Sequence, residues 1–217
     1  MKKKFAIVLS GCGVYDGSEI HEAISAMVAV EQNGGTYQIF APDAEQLHSI
    51  NHLTGETTKH NRNIMEESAR IARGNILPLN QFNADDYDAL LFPGGYGAMK
   101  NLCNYAIAGN NCLVNKDVEK AITAMFNSKK IIAALCIAPL LLVRVLGNIT
   151  ITLGNPDENY LASVKHFGAT HIVKEVRDVC VDEKNKIFTT PAYMLPVNIA
   201  DVFAGISNLV KEIFMRF

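Results

Sequence analysis

The 217-residue chain contains no run of about 18 apolar residues, so it offers no helix that would span a bilayer. No C-x-x-C pair occurs among its five cysteines, Cys12, Cys103, Cys112, Cys136 and Cys180, and their number is odd. A disulfide framework or a zinc site is therefore not expected, and a reducing, cytoplasmic setting is the simplest reading. Neither sign of charge dominates: the net charge is −2 and the pI about 6.3, which suggests no nucleic-acid partner. The one basic run, Lys2–Lys4, leads into an apolar stretch too short for a signal-peptide core. Repeats, low-complexity tracts and Pro/Gly/Ser linkers are also missing. With 49% apolar residues, the length fits one domain over 1–217 around one substantial core.

What is present is an alternation of apolar runs and helical patterns. Strands are expected at 4–10, 36–42, 87–95, 130–136, 149–153 and 170–174, with two short ones around 182–185. Helices are expected at 18–35, 63–73, 116–128, 138–146, 157–168 and 196–214, the first with Ile20, Ile24, Met27 and Val28 on one face. Central strands apolar on both faces point to an α/β fold, a mostly parallel sheet between helix layers. Ligands of such sheets lie beyond the carboxyl ends of the strands. Those ends carry Gly11-Cys12-Gly13, Pro93-Gly94-Gly95, Cys136 and Gly154-Asn155.

In "IIAALCIAPLLL" (131–142) a buried strand stops at Cys136 and Pro139 opens a helix. A cysteine on so tight a turn is raised off the sheet and faces unpaired N–H groups and the positive end of a helix, which favour thiolate. The small Ala134 and Ala138 let the turn close, as glycines do in the G-x-[SC]-x-G elbow. On this reading alkylation of Cys136 has its midpoint below about pH 6. The competing reading is a small core side chain. Cys12 lies in a glycine turn without helix context, and the other three cysteines read as structural. Gly94 and Gly95 suit either an oxyanion hole or an ordinary turn.

In "YDGSEIHEA" (15–23), Asp16 and Glu19 have capping-box spacing, and Glu22 is a carboxyl one turn further on. His21 falls at the mouth of the site or on the surface. His48, His52 and His60 are broken up by Thr54 and Gly55, so no metal is expected there.

Together "FPGGYGAMKNL", "ALCIAP", "INHLTGE" and "VDEKNKIFTTPAYML" resemble the ElbB family, part of the PfpI/ThiJ superfamily of class I glutamine amidotransferase-like folds. The resemblance runs from Lys4 to about Leu209. It implies a flavodoxin-like three-layer sandwich and a homodimer. It also implies Cys136 as nucleophile, Glu22 or alternatively Glu19 as the carboxyl group beside it, and N–H groups around Gly94, Gly95 and Ile137 as the oxyanion and substrate-binding site. ElbB-like proteins are described as glyoxalases, turning glyoxal or methylglyoxal into a 2-hydroxy acid without glutathione or any cofactor, and are linked by name to isoprenoid biosynthesis. The alternative is a redox-sensing or small-molecule-binding protein using the same cysteine. Two family patterns are missing. Ile137, not histidine, follows Cys136, which argues against a Cys-His protease. Neither His166 nor His171 begins an H-x-E, which argues against glutamine hydrolysis.

Overall fold

The computed structural model describes residues 2–217. The chain runs β1 (Lys4–Val8), α1 (Ile20–Gln32), β2 (Thr36–Ala41), β3 (Ser49–Ile50), β4 (Thr57–Thr58), α2 (Ile64–Ile71), β5 (Ile76–Pro78), β6 (Ala89–Phe92), α3 (Gly97–Lys100) and α4 (Tyr105–Ala108). It continues with α5 (Lys116–Asn127), β7 (Ile131–Leu135), α6 (Pro139–Leu146), β8 (Thr150–Ile151), α7 (Glu158–His166), β9 (Thr170–His171), β10 (Cys180–Asp182), β11 (Ile187–Thr190) and α8 (Ile199–Phe214).

Seven strands form the central sheet in the order β10-β11-β7-β6-β1-β2-β5. Every pairing is parallel except β10 with β11 at one edge. The fold class is therefore the expected one: a mostly parallel sheet flanked by helices. The three central strands β1, β6 and β7 are the apolar runs FAIV, ALLF and IIAAL, buried throughout. Helices lie on both faces, so neither face of these strands meets water and no polar alternation is needed. α1 and α8 pack on one another, and α8 also reaches β11; α5 and α6 pack together over β6 and β7.

Several expectations are corrected. β8 and β9 lie outside the main sheet and pair only with each other, so Gly154 is not at the end of a sheet strand; it packs beside Pro191 and Leu195. β5 and the β3–β4 hairpin were not expected from the pattern. On α1, Ile20, Ile24 and Val28 lie on the outer side, 36%, 45% and 37% exposed, and the helix docks through Ala23, Ala26, Ala29 and Val30. The small side chains let α1 approach the sheet and α8 closely, which a row of isoleucines would prevent.

Candidate active site

The carboxyl ends of β1, β6 and β7 are neighbours in the sheet, and the site is built where their turns meet. The turn after β1 and the turn after β6 are fastened by backbone bonds: Tyr96 N–H donates to Val14 O at 2.8 Å, Gly97 N–H to Gly17 O at 2.9 Å, and Glu19 N–H to Gly94 O at 2.9 Å. Gly95 has φ of +91°, and a Cβ there would strike the Gly17 carbonyl and the Glu19 amide. Only glycine accommodates both the backbone conformation and the close approach.

Cys136 follows β7 with φ of +58°, a conformation uncommon for non-glycine residues and frequent at functional turns. Its own N–H is fixed to Thr190 O at 3.1 Å on the neighbouring strand. Its side chain turns off the sheet into a cavity of about 260 Å³ whose walls include Glu19, Tyr96, Ile137, Tyr160 and Tyr193. The residue is 8% exposed, so the sulfur is nearly enclosed yet borders the cavity. The N–H groups of Gly95 and Ile137 point at the thiol.

Glu22, in the first turn of α1, is fully buried. Its Oε2 accepts from Gly94 N–H at 2.8 Å and its Oε1 from Tyr193 N–H at 3.4 Å, and the carboxyl stands beside the Cys136 thiol across Gly94. The Tyr193 amide is aimed by Ala192, which also has positive φ, +45°. Gly94 lies between the two side chains: a Cβ on it would lie 2.7 Å from Glu22 Oε2 and 3.0 Å from Cys136 Sγ.

Burial, and next the negative charge of Glu19, push the Glu22 carboxyl from an ordinary 4.5 to about 8, against the two amides that lower it. Glu22 is thus mostly protonated at neutral pH. Burial is also the main influence on Cys136 and pushes its thiol well above the ordinary range; ionised Glu22 raises it further, and the Gly95 and Ile137 amides oppose this. The thiolate expected from the helix end is corrected accordingly: α6 does begin at Pro139, but desolvation outweighs its dipole. The two groups titrate as a pair, and a proton first leaves the pair near pH 8.

The remaining sequence candidates fall as follows. Glu19 is the helix cap, its Oε2 accepting from Glu22 N–H at 2.7 Å, so it borders the cavity without taking Glu22's place beside the sulfur. Asp16, expected in the cap, is buried instead; it accepts from Ile50 N–H at 2.6 Å and lies 3.8 Å from Arg62 and His52. It anchors the β3–β4 hairpin to the glycine turn. Gly94 is not a free oxyanion donor, because its N–H is already engaged by Glu22. His21 reaches Tyr193 Oη at 2.9 Å. His52 accepts from Tyr15 N–H at 3.2 Å. Cys12 borders a separate cavity with Ile20, Ile24 and Tyr37. Tyr160 lies in no motif. Tyr193 lies in "TTPAYML", a segment that carries the resemblance, but the sequence assigns it no role at the site.

No family model matches the chain. It is 44% identical over 221 residues to the ES1 protein homolog, mitochondrial, of Rattus norvegicus, covering 98% of this chain and 83% of that one. It is 43% identical over 219 residues to the human glutamine amidotransferase-like class 1 domain-containing protein 3, mitochondrial, covering 97% and 82%. Among solved structures, a protein of Ehrlichia chaffeensis described as an isoprenoid biosynthesis protein with amidotransferase-like domain superposes with a TM-score of 0.92 at 30% identity, covering 99% of this chain and all of that one. Drosophila melanogaster DJ-1beta superposes at a TM-score of 0.58 and 15% identity, covering 100% and 97%, a likeness of fold. The relatives' mitochondrial names overturn the cytoplasmic location read from the cysteines. Unpaired thiols report a reducing environment and do not distinguish among the compartments that provide one.

Proposed function

Because this chain belongs to the family of ES1 and the glutamine amidotransferase-like class 1 proteins, we propose that its buried Cys136–Glu22 pair catalyses a cofactor-independent glyoxalase reaction, the conversion of an α-oxoaldehyde to a 2-hydroxy acid. The observation that carries this reading is a carboxyl lifted to about 8 beside an elbow thiol, with the Gly95 and Ile137 N–H groups directed at the same sulfur. A general base works best with a pKa near the working pH, and amides so placed suit an oxygen that gains charge next to that sulfur. The ElbB-like segments "INHLTGE" and "TTPAYML" support the same assignment.

The steps balance without an added redox partner. Ionised Glu22 takes the thiol proton as Sγ bonds to the aldehyde carbon, and the new oxyanion is met by the Gly95 and Ile137 amides. Glu22 returns the proton to that oxygen, giving a hemithioacetal. It then removes the hydrogen from the same carbon, forming an enediolate, and delivers it to the neighbouring carbon, while the hydroxyl proton passes from the first oxygen to the second. The product is a 2-hydroxy thioester on Cys136. Water attacks its carbonyl, the carbon–sulfur bond breaks, and the hydroxy acid leaves with the thiol restored.

The test is lactate formation from methylglyoxal by purified protein without glutathione. Cys136→Ala is expected to abolish turnover. Full activity in that variant would remove Cys136 from the mechanism. No turnover in the unaltered protein, with selective peroxide oxidation of Cys136, would favour redox sensing.

A further inference from the structure

Methylglyoxal has five heavy atoms and is accommodated by the cavity over Cys136 alone. Beside that cavity lies a larger one, about 450 Å³, which shares Tyr96, Ile137 and Tyr160 with it as a common wall. A volume of this size lies within the range of about 300–1,000 Å³ that receives drug-sized ligands. Four tyrosines, Tyr15, Tyr96, Tyr105 and Tyr160, line it. Its outer walls come from Ile50 and Gly55 of the β3–β4 hairpin and from Tyr105 and Ala106 of α4. Neither segment belongs to the sheet or its principal helices, yet both are secured: the hairpin by Asp16, and Tyr105 by a 2.6 Å hydrogen bond to Ser163.

Among the described residues Lys100 is the one charged side chain in the lining of this chamber; the carboxylate that acts on its ammonium, Asp16, is buried behind the lining and not part of it. Lys100 Nζ donates to Tyr15 O at 2.7 Å and stands 5.7 Å from the centre of the Tyr96 ring. An ammonium has three donors, and the protein engages one of them. An aromatic box alone would also suit a cationic guest, but an ammonium in its wall repels one and attracts an anion.

We propose that this chamber is the second half of the substrate site and takes a flat apolar arm ending in an anionic group, so that the preferred substrates are α-oxoaldehydes larger than methylglyoxal, of the carboxylated aryl type. The arm lies among the tyrosine rings, its anion meets Lys100, and the aldehyde passes Tyr160 and Ile137 to reach Cys136. The substrate assignment rests on the glyoxalase reading; the binding preference does not.

The test uses the full chain with Cys136→Ser, so that nothing reacts, and calorimetric titration at pH 7 with lactate, mandelate and 4-carboxymandelate as product-like probes. Mandelate is expected to bind about tenfold more tightly than lactate, and 4-carboxymandelate about tenfold more tightly again. Adding Lys100→Met removes the second step and keeps the first. Ala106→Phe, at an exposed position in the wall, narrows the chamber and removes the first. Equal affinities for the three acids, no binding of 4-carboxymandelate at millimolar concentration, or a carboxylate advantage that survives Lys100→Met would overturn the proposal. Binding in the expected order with no turnover by the unaltered protein would sink the glyoxalase reading alone. Turnover of methylglyoxal without the binding order would sink this inference alone.

Discussion

Replacing Glu22 by Gln keeps the size of the side chain and an acceptor for the Gly94 amide, and removes a titrating proton from a fully buried position. The lift of Glu22 from 4.5 to about 8, at about 1.4 kcal/mol per pH unit, means that ionised Glu22 costs the folded chain roughly 5 kcal/mol. Between these two values the folded protein holds a proton that the unfolded chain has released. The stability that this group contributes is therefore fully present below about pH 4.5 and is lost as pH rises toward 8. Between about pH 5 and pH 8.5 this one group accounts for about 4 kcal/mol of lost stability, which Glu22→Gln does not suffer. At this chain length 1 kcal/mol moves the melting temperature by about 2–4 °C. The variant is expected to melt on the order of 10 °C above the unaltered protein at pH 8.5, with a much smaller gap at pH 5. In the proposed glyoxalase reaction the same substitution removes the general base and is expected to lower turnover by about 10²–10⁴-fold. Urea or thermal denaturation at the two pH values decides the matter. Parallel pH profiles for the two proteins would show that Glu22 is ionised in the fold at neutral pH, and the proton shuttle would lose its basis.

Two further predictions follow from the same geometry. Iodoacetamide alkylation of Cys136, followed by mass spectrometry across pH, is expected to rise only above the ordinary thiol range, because burial and the neighbouring Glu22 push the thiol up; a midpoint below about 6 would mean that amides and helix end outweigh desolvation after all. Gly94→Ala places a methyl group 2.7 Å from Glu22 Oε2 and 3.0 Å from Cys136 Sγ, so the pair must separate; turnover is expected to fall at least about 100-fold with circular dichroism unchanged, and retained activity would show that the pair need not touch.

The parallel sheet was legible because its central strands are buried on both faces and so carry continuous apolar runs. β5 escaped notice because it is three residues long, includes Pro78 and leaves Leu77 exposed at the sheet edge, so it has little of the apolar signature. The docking face of α1 was hidden because alanines, not its larger apolar residues, make the contact. At the site, the elbow and the paired glycines stand out as local motifs, and Glu22 follows from its place in the first turn of α1. What local pattern does not encode is partnership across the chain: that Gly94's amide is taken by a carboxyl 72 positions away, or that Tyr193's amide holds the same carboxyl. The thiol's protonation was misjudged for a related reason. The helix end can be read from Pro139, but the sulfur's surroundings come from the turns after β1, β6 and β11 and from Tyr160 of α7, which are distant in the chain.

The order in which the strands lie in the sheet bears on biosynthesis. β7 sits between β6 and β11, and the amide of Cys136 is fixed by Thr190. A nascent chain that has emerged only as far as α7 already carries the cysteine and the carboxyl, but β7 still has an open edge. Neither the Thr190 carbonyl nor the Tyr193 amide has yet been made. The pairing of Cys136 with Glu22 can therefore be fixed only after residues 190–193 have left the ribosome, well after both side chains themselves have been made.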